Sequence, residues 1–98
     1  MANFTVLFVL HGATPLQYST LHKAMIGAGA FRRIRGSNNI VYDLPDGEYD
    51  MPSPLSALAL MQKVVGIATR VKALPKPSVL VTQAADRAWQ LLPVPGQS

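Results

Sequence analysis

The sequence predicts a small α+β domain in which a four-stranded antiparallel sheet carries two helices on one face. Two observations predict this fold. The strand-like and helix-like segments follow one another in the order β-α-β-β-α-β, the split βαβ pattern. The chain has 98 residues, which is room for one domain and one core. It has no cysteine, which excludes a disulfide framework, thiolate zinc sites and a thiol nucleophile and fits a cytoplasmic protein.

The predicted elements follow in order: a strand over residues 3–10, a helix from Pro15, strands over 30–35 and 40–44, a helix from Ser53 to about Ala73, a strand over 78–82 and a short helix over 84–92. Right-handed crossovers place the first and third strands in the centre of the sheet and the second at an edge. Residues 1–92 are therefore predicted as one domain, and residues 93–98 as a disordered tail.

The first strand is rich in β-branched and aromatic residues and apolar on both faces, as a central strand is. The first helix has a clear start, because Thr14 can cap it, Pro15 suits its first position and Gln17 can complete a capping box. Gly27 and Gly29 end it, one of them with a left-handed backbone.

The hairpin that follows contains a turn at residues 36–39, and Pro45 to Gly47 turns the chain again. Residues 48–51 are ambiguous between an extension of the sheet and an ordered loop. Ser53-Pro54 repeats the cap-plus-proline signal of the first helix, and Pro75-Lys76-Pro77 closes the second. No segment is long and apolar enough to span a bilayer, so no membrane partner is expected.

The charges are unevenly distributed along the chain. Nine Lys and Arg against five Asp and Glu give a formal net charge of +4. All five acidic residues fall at Asp43 or later, so Lys23, Arg32, Arg33 and Arg35 precede any acid. A modest positive balance is compatible with binding of a polyanion such as RNA.

The cluster of arginines in the second strand is the strongest local signal. Alternation puts Phe31, Arg33 and Arg35 on one face of the strand, and Arg32 and Ile34 on the other. If Ile34 faces the helices, the first three lie on the open face of the sheet, where they could clamp phosphates and stack a base. The alternative is a charged edge strand that discourages sheet-to-sheet aggregation.

His11 ends the first strand, where a neutral imidazole could act as general base or acid toward a ribose hydroxyl or phosphate. The alternative is a histidine that only hydrogen-bonds the adjoining loop. His22 is interpreted as a solvated helix residue. The candidate catalytic residues are thus His11, Arg33 and Arg35.

The candidate RNA-binding residues are Phe31, Arg32, Tyr42 and Lys23, although Tyr42 also fits half-buried packing. Asp43, Asp46 and Asp50 could hold magnesium, but a polar turn is the favoured interpretation. Neither a metal nor a cofactor is predicted, because the sequence has no glycine-rich phosphate loop, paired metal-ligand histidines or nucleophile elbow.

A wider set of residues covers roughly residues 3 to 92: Phe4-Thr5-Val6, Leu10-His11-Gly12-Ala13, Tyr18, Leu21-His22, Ala24-Met25, Phe31, Arg33, Tyr42, Leu44-Pro45, Gly47-Glu48-Tyr49, Ser78-Val79-Leu80-Val81-Thr82, Arg87 and Trp89. This set resembles the GhoS-type antitoxin family of type V toxin–antitoxin systems. The resemblance implies a ferredoxin-like fold, similar to the small CRISPR-adaptation nucleases, and endoribonuclease action on the messenger RNA of a membrane toxin. The first strand carries no acidic residue that could bind a metal.

Two hypotheses follow. In the first, the chain is a metal-independent endoribonuclease in which Arg33 and Arg35 bind the phosphate and His11 moves a proton. In the second, it is a non-catalytic module that grips RNA or a protein partner, or forms a homodimer, through its second strand. A third hypothesis is an inhibitor or accessory protein of a mobile element, and no residue of the sequence points to it specifically.

Overall fold

A computed structural model describes residues 1–97 and confirms a mixed α+β fold with two helices and antiparallel sheets. The last residue of the predicted tail, Ser98, lies outside the described residues. The elements are β1 (Ala2–Val9), α1 (Pro15–Gly27), β2 (Arg33–Arg35), β3 (Val41–Asp43), β4 (Glu48–Ser53), α2 (Ala57–Val71) and β5 (Ser78–Gln83).

The strands form two sheets, so the prediction of one four-stranded sheet is wrong. The main sheet has three strands in the order β4-β1-β5, and β1 is central as predicted. β1 pairs antiparallel with both neighbours, with Val6 opposite Tyr49 on one side and Val81 on the other. The predicted second and third strands, β2 and β3, pair with each other in a second sheet, and neither joins the main sheet.

The strand beside β1 is β4, which comes from the segment that the sequence left ambiguous. Tyr49, Met51 and Ser53 alternate into the core, which is the pattern of a strand with one buried face. Pro52 obscured that pattern. The backbone N–H and C=O of Asp50 form hydrogen bonds to Phe31 on the side away from β1. Pro52 is two residues later in the strand, so its backbone groups point to the same side as those of Asp50. Its missing N–H therefore faces the outer edge, where a proline is tolerated.

The core lies between the main sheet and the two helices. Its buried members come from β1, β4, both helices and the residues that follow β1 and α1: Phe4, Val6, Phe8, Leu10, Leu21, Met25, Ala30, Tyr49, Met51, Leu60, Val64 and Ala68. Alternate residues of β1 thus face the helices, while Thr5, Leu7 and Val9 face the other side. We call that second side the open face.

The start of α1 confirms the sequence prediction, and the start of α2 corrects it. Thr14 caps α1 in a complete capping box with Gln17, and Gly29 after its end has a φ of 97°. The cap of α2 is Ser56, whose side chain accepts from the N–H of Ala59. Ser53 is instead buried at the end of β4, because its alternation with Met51 and Tyr49 belongs to the strand.

The C-terminal segment, residues 84–97, contains no helix in its described part, so the predicted short helix over 84–92 is wrong. Its backbone is bound elsewhere: the N–H of Ala84 donates to Asn3, and that of Val94 donates to Val41 of β3. Arg87 in between reaches Asp50 of β4 and Thr5 of β1. An isolated helix of nine residues has little stability of its own. The extended path instead lets this segment cover part of the open face.

Residues 93–97, assigned to a tail from the sequence, run beside β3, where Tyr42 forms a β-bridge to Pro93. None of the helices described over residues 1–97 has the length and apolarity needed to cross a membrane.

Candidate nucleic-acid interface

The arginines of the β2 segment meet the acids that follow them in the sequence. Arg32 Nη2 lies 3.0 Å from Asp46 Oδ1, and Arg33 Nε lies 3.2 Å from Asp43 Oδ1. β2 and β3 are antiparallel, and Arg33 stands directly opposite Asp43 in the register. Two of the four cations that look unopposed in the sequence, Arg32 and Arg33, are therefore paired with carboxylates in the fold.

Arg35 differs from its two neighbours. Its guanidinium donates to the side-chain and backbone oxygens of Asn39, at 2.9 and 3.2 Å, and no carboxylate within residues 1–97 pairs with it. Arg33 and Arg35 are exposed and Ile34 is buried, as alternation predicts. Ile34, however, lies in a cleft beside Thr5 and Trp89 and is not part of the core beneath the helices.

Three of the six cations that pair with no carboxylate in residues 1–97 lie on the helices, and neither α1 nor α2 contains an acidic residue. Lys23 is exposed on α1, and Lys63 and Arg70 are exposed on α2. Arg70 lines a groove between the two helices. Lys63 is seven residues earlier on the same flank of α2, about 10 Å away along the axis.

Two depressions lie on either side of the last turns of α1. The first, of about 430 Å³, is lined by Ile26, Gly29, Ala30, Phe31, Arg32 and Arg33. The Phe31 side chain is 55% exposed there. The second, of about 380 Å³, is the groove between the helices, lined by Thr20, Ala24, Gly27 and Arg70 among others.

Lys23 lies between these depressions, since helical spacing puts it on the outer face of α1 between Ile26 and Gly27. We call the surface formed by Phe31, Arg33, Lys23 and Arg70 the α1 track. It offers an aromatic face at one end and cations along its length. Such a combination can stack a base and hold the neighbouring phosphates.

Arg32 is linked to a network of side chains that runs from the exposed Asp46 to the buried Tyr49. The Tyr49 hydroxyl lies 2.5 Å from His22 Nδ1, and His22 Nε2 lies 3.8 Å from the Asp46 carboxylate that binds Arg32. The His22 side chain is 14% exposed. The interpretation of His22 as a solvated residue was therefore wrong, because β4, which buries it, was not predicted as a strand.

The ionisation of this network is set mainly by burial. Burial lowers the pKa of His22, the nearby Arg32 lowers it further, and Asp46 raises it. Burial also raises the pKa of Tyr49. A neutral His22 accepts a hydrogen bond from the Tyr49 hydroxyl at Nδ1. The proton of its own ring is then on Nε2, which faces Asp46. The sequence signal that could have found this network is the alternation of Tyr49 and Met51.

His11 lies on a different part of the molecule from the arginines. It is exposed after the end of β1, and its Nε2 is 2.8 Å from the Ser78 hydroxyl at the start of β5. The segment with Arg33 and Arg35 continues from Phe31, which pairs with the outer edge of β4. β4 therefore lies between the arginine segment and β1, the strand that His11 follows. Two strand spacings, or about 10 Å, separate that segment from β1.

Tyr42 packs against the C-terminal segment. Its ring lies 6.1 Å from that of Trp89 in an edge-on arrangement, and its hydroxyl accepts from Asn38 Nδ2 at 3.1 Å. Three of the seven predicted site residues, Phe31, Arg32 and Arg33, line one depression, and helical spacing places Lys23 next to it. Arg35 is exposed on β2 outside that depression, and the structure groups neither His11 nor Tyr42 with the set.

The three aspartates that were considered for magnesium each bind an arginine: Asp43 binds Arg33, Asp46 binds Arg32 and Asp50 binds Arg87. Across residues 1–97, no three His, Asp or Glu side chains are grouped so that they could hold a metal ion.

Comparisons with models of protein families, with curated proteins and with solved structures give no match for this chain.

Proposed function

We propose that this chain is a small RNA-binding protein that holds single-stranded RNA along the α1 track. The observation that carries the proposal is the exposed ring of Phe31 in a depression with Arg33, next to two helices that carry cations and no acids. Stacking on an aromatic side chain beside a cationic path is how proteins bind single strands without reading their sequence.

Each part of the track has a separate task in this proposal. The Phe31 ring stacks on one base, and Lys23 and Arg70 neutralise the phosphates that follow it. Arg33 contributes less charge than its exposure suggests, because Asp43 binds its Nε. The remaining guanidinium nitrogens of Arg33 stay available to a phosphate at the edge of the depression.

The resemblance to GhoS-type antitoxins extends the proposal to a cytoplasmic protein acting on the messenger RNA of a toxin. It also suggests cleavage of that messenger, for which the residues themselves, and not the resemblance, offer His11 as the proton-transferring group. Cleavage stays a prediction, since β4 stands between His11 and the arginine segment. Binding along the α1 track does not depend on it.

Binding is tested by fluorescence anisotropy with a labelled single-stranded RNA of about a dozen nucleotides, titrated at several salt concentrations. Phe31→Ala should weaken binding about 10-fold, because one stacked base contributes roughly 1–3 kcal/mol. Lys23→Ala should weaken binding and also reduce the slope of log K against log salt by about 0.7, the loss of one phosphate contact.

Lys76→Ala provides the matched control. Lys76 is also exposed, but it lies in the loop between α2 and β5, away from the track. It should leave both the affinity and the slope close to those of the wild type. Equal effects of Lys23→Ala and Lys76→Ala would mean that attraction to the overall charge, and not the track, binds the RNA.

Cleavage is tested with the same RNA in the presence and absence of a chelator, followed by sequencing of the fragment ends. Fragments from the wild type but not from His11→Ala, at equal affinity, would establish His11 as a catalytic residue. RNA that is bound and remains intact would refute the nuclease hypothesis and retain the binding module.

A further inference from the structure

The free edge of the main sheet is β5, and it lacks the features that usually protect an edge. β5 pairs with β1 on one side only. Its six residues are Ser, Val, Leu, Val, Thr and Gln, with no charge and no proline. Natural proteins generally block exposed edges with lysine, proline, bulges or a covering segment, because unpaired backbone groups recruit another strand.

The direction of the free backbone groups follows from the pairing with β1. The N–H of Ala84 donates to the carbonyl of Asn3, so Thr82 and Leu80, at the same parity, also point their backbone groups toward β1. Val79, Val81 and Gln83 therefore point theirs outward. These six N–H and C=O groups make no hydrogen bond to other groups within residues 1–97.

Within α2 itself, the flank next to this edge carries no charge, and Lys72 follows at the end of the helix. Leu58, Met61 and Val65 follow each other at helical spacing on the side away from Arg70 and the α1 groove. Leu58 is 62% exposed. Since α2 packs against β5, the edge strand and this apolar flank form one continuous surface, which we call the β5 edge.

We propose that the β5 edge is the interface of a homodimer, in which β5 pairs antiparallel with β5 of a second copy around a two-fold axis at Val81. This register places Val81 opposite its own copy, and Val79 opposite Gln83 of the other chain. All three outward-facing residues then form hydrogen-bonded pairs, which satisfies all six free backbone groups of each strand. The two main sheets become one sheet of six strands.

The observations favour a second copy over another partner because the surface is complementary to itself. Three residues of β5 point their backbone groups outward, with Val81 at the middle. A two-fold axis at Val81 therefore lets an identical strand form hydrogen bonds with all of these N–H and C=O groups. Two copies of a chain with a net charge of +4 repel each other. Within α2 the cations Lys63 and Arg70 lie on the opposite flank, so the two helix flanks can approach without close like-charge contacts. Lys72, which follows the helix, donates its ammonium hydrogen bond to the backbone of Leu74.

The helix flanks contribute the apolar part of the interface. When the two β5 strands pair, the α2 helices of the two copies lie side by side beneath the joined sheet. Leu58, Met61 and Val65 of each copy then face one another across the axis. This interface leaves the α1 track free, so dimerisation and RNA binding are independent, and failure of one would not refute the other.

Sedimentation velocity across a range of protein concentrations tests the proposal. The wild type should reach twice the 10.6 kDa mass of the chain as its concentration rises. Leu80→Lys should shift it to the monomer. Leu80 is 60% exposed on the open face, and the two new lysines would lie diagonally across the axis, about 7–8 Å apart.

A matched pair of helix variants tests the contribution of α2. Leu58 and Leu16 are both the second residue of their helix and both exposed, at 62% and 76%. Leu58→Lys should weaken the dimer at least 10-fold, whereas Leu16→Lys should leave it unchanged. Circular dichroism of each variant checks that the fold is retained.

Amide hydrogen exchange provides a signature that a different interface would not give. In the dimer, the amides of Val79, Val81 and Gln83 should exchange slowly, and in the Leu80→Lys monomer they should exchange fast. The amides of Leu80 and Thr82 should be protected in both, because they face β1. A monomer at every concentration, or a dimer in which the outward amides stay unprotected, would overturn the proposal.

Discussion

The hydrogen bond between Tyr49 and His22 gives a quantitative test of the network that holds Arg32. Tyr49→Phe removes the buried hydroxyl and leaves His22 Nδ1 without its donor. An unsatisfied buried acceptor costs about 1–3 kcal/mol. Because the His22 side chain keeps 14% of its exposure and can reach some water, we expect about 1–2 kcal/mol. For 98 residues the unfolding entropy is about 0.2 kcal/mol/K, so Tm should fall by about 5–10 °C.

Urea and thermal denaturation followed by circular dichroism measure this change. Tyr42→Phe is the matched control, since its hydroxyl accepts a hydrogen bond at the surface and its loss should cost less than about 0.5 kcal/mol. Equal stability of the two variants would refute the assignment of Tyr49 as the donor that keeps His22 in place.

The same variant should alter the pH dependence of stability. The pKa of His22 is lowered in the folded protein, so below about pH 6.5 the unfolded chain binds more protons at this residue than the native protein does. The stability contributed by neutral His22 is therefore complete above that pH and is lost as the pH falls through the folded-state pKa. Tyr49→Phe should make this loss shallower, because an acceptor without a donor is easier to protonate. An unchanged pH profile would contradict this reasoning.

Two further substitutions, with a third as a control, test the placement of β4 and of the C-terminal segment. Gly47→Ala should destabilise the protein by about 2 kcal/mol or more, because Gly47 has a φ of 83° and an added Cβ would lie 2.5 Å from the backbone oxygen of Phe8. Gly66→Ala in α2, where the new methyl group meets open space, should instead stabilise it by up to about 1 kcal/mol in the same urea titration. Arg87→Ala should cost about 1–3 kcal/mol, since it leaves the half-buried Asp50 unpaired. It should also shift the emission of the single tryptophan to the red; unchanged emission would mean that Arg87 does not hold the segment.

Local signals predicted the elements whose formation depends on neighbouring residues. Thr14, Pro15 and Gln17 fixed the start of α1, because a capping box is satisfied within one turn. The central position of β1 followed from side chains that are apolar on both faces. These features involve few distant partners, and the structure confirms them.

β4 and the C-terminal segment could not be predicted in the same way. Pro52 argues against a strand unless the direction of its missing N–H is known, and that direction depends on which neighbour lies on each side. Ser53-Pro54 imitates the start of a helix, but burial assigns Ser53 to the strand. The segment after β5 lost its predicted helix because Arg87 and Val94 bind distant strands.

The sequence by itself determined the α+β class, the central strand, the start of the first helix, the presence of a hairpin and a surplus of positive charge. The tertiary structure decided where that charge remains available, since Asp46 and Asp43 pair with Arg32 and Arg33, two of the three arginines in the predicted cluster. The physical reason is that charged and hydrogen-bonding groups find their partners among residues that lie apart in the chain. Spacing along the sequence reports which groups are present, and only the folded arrangement determines which of them are left unpaired.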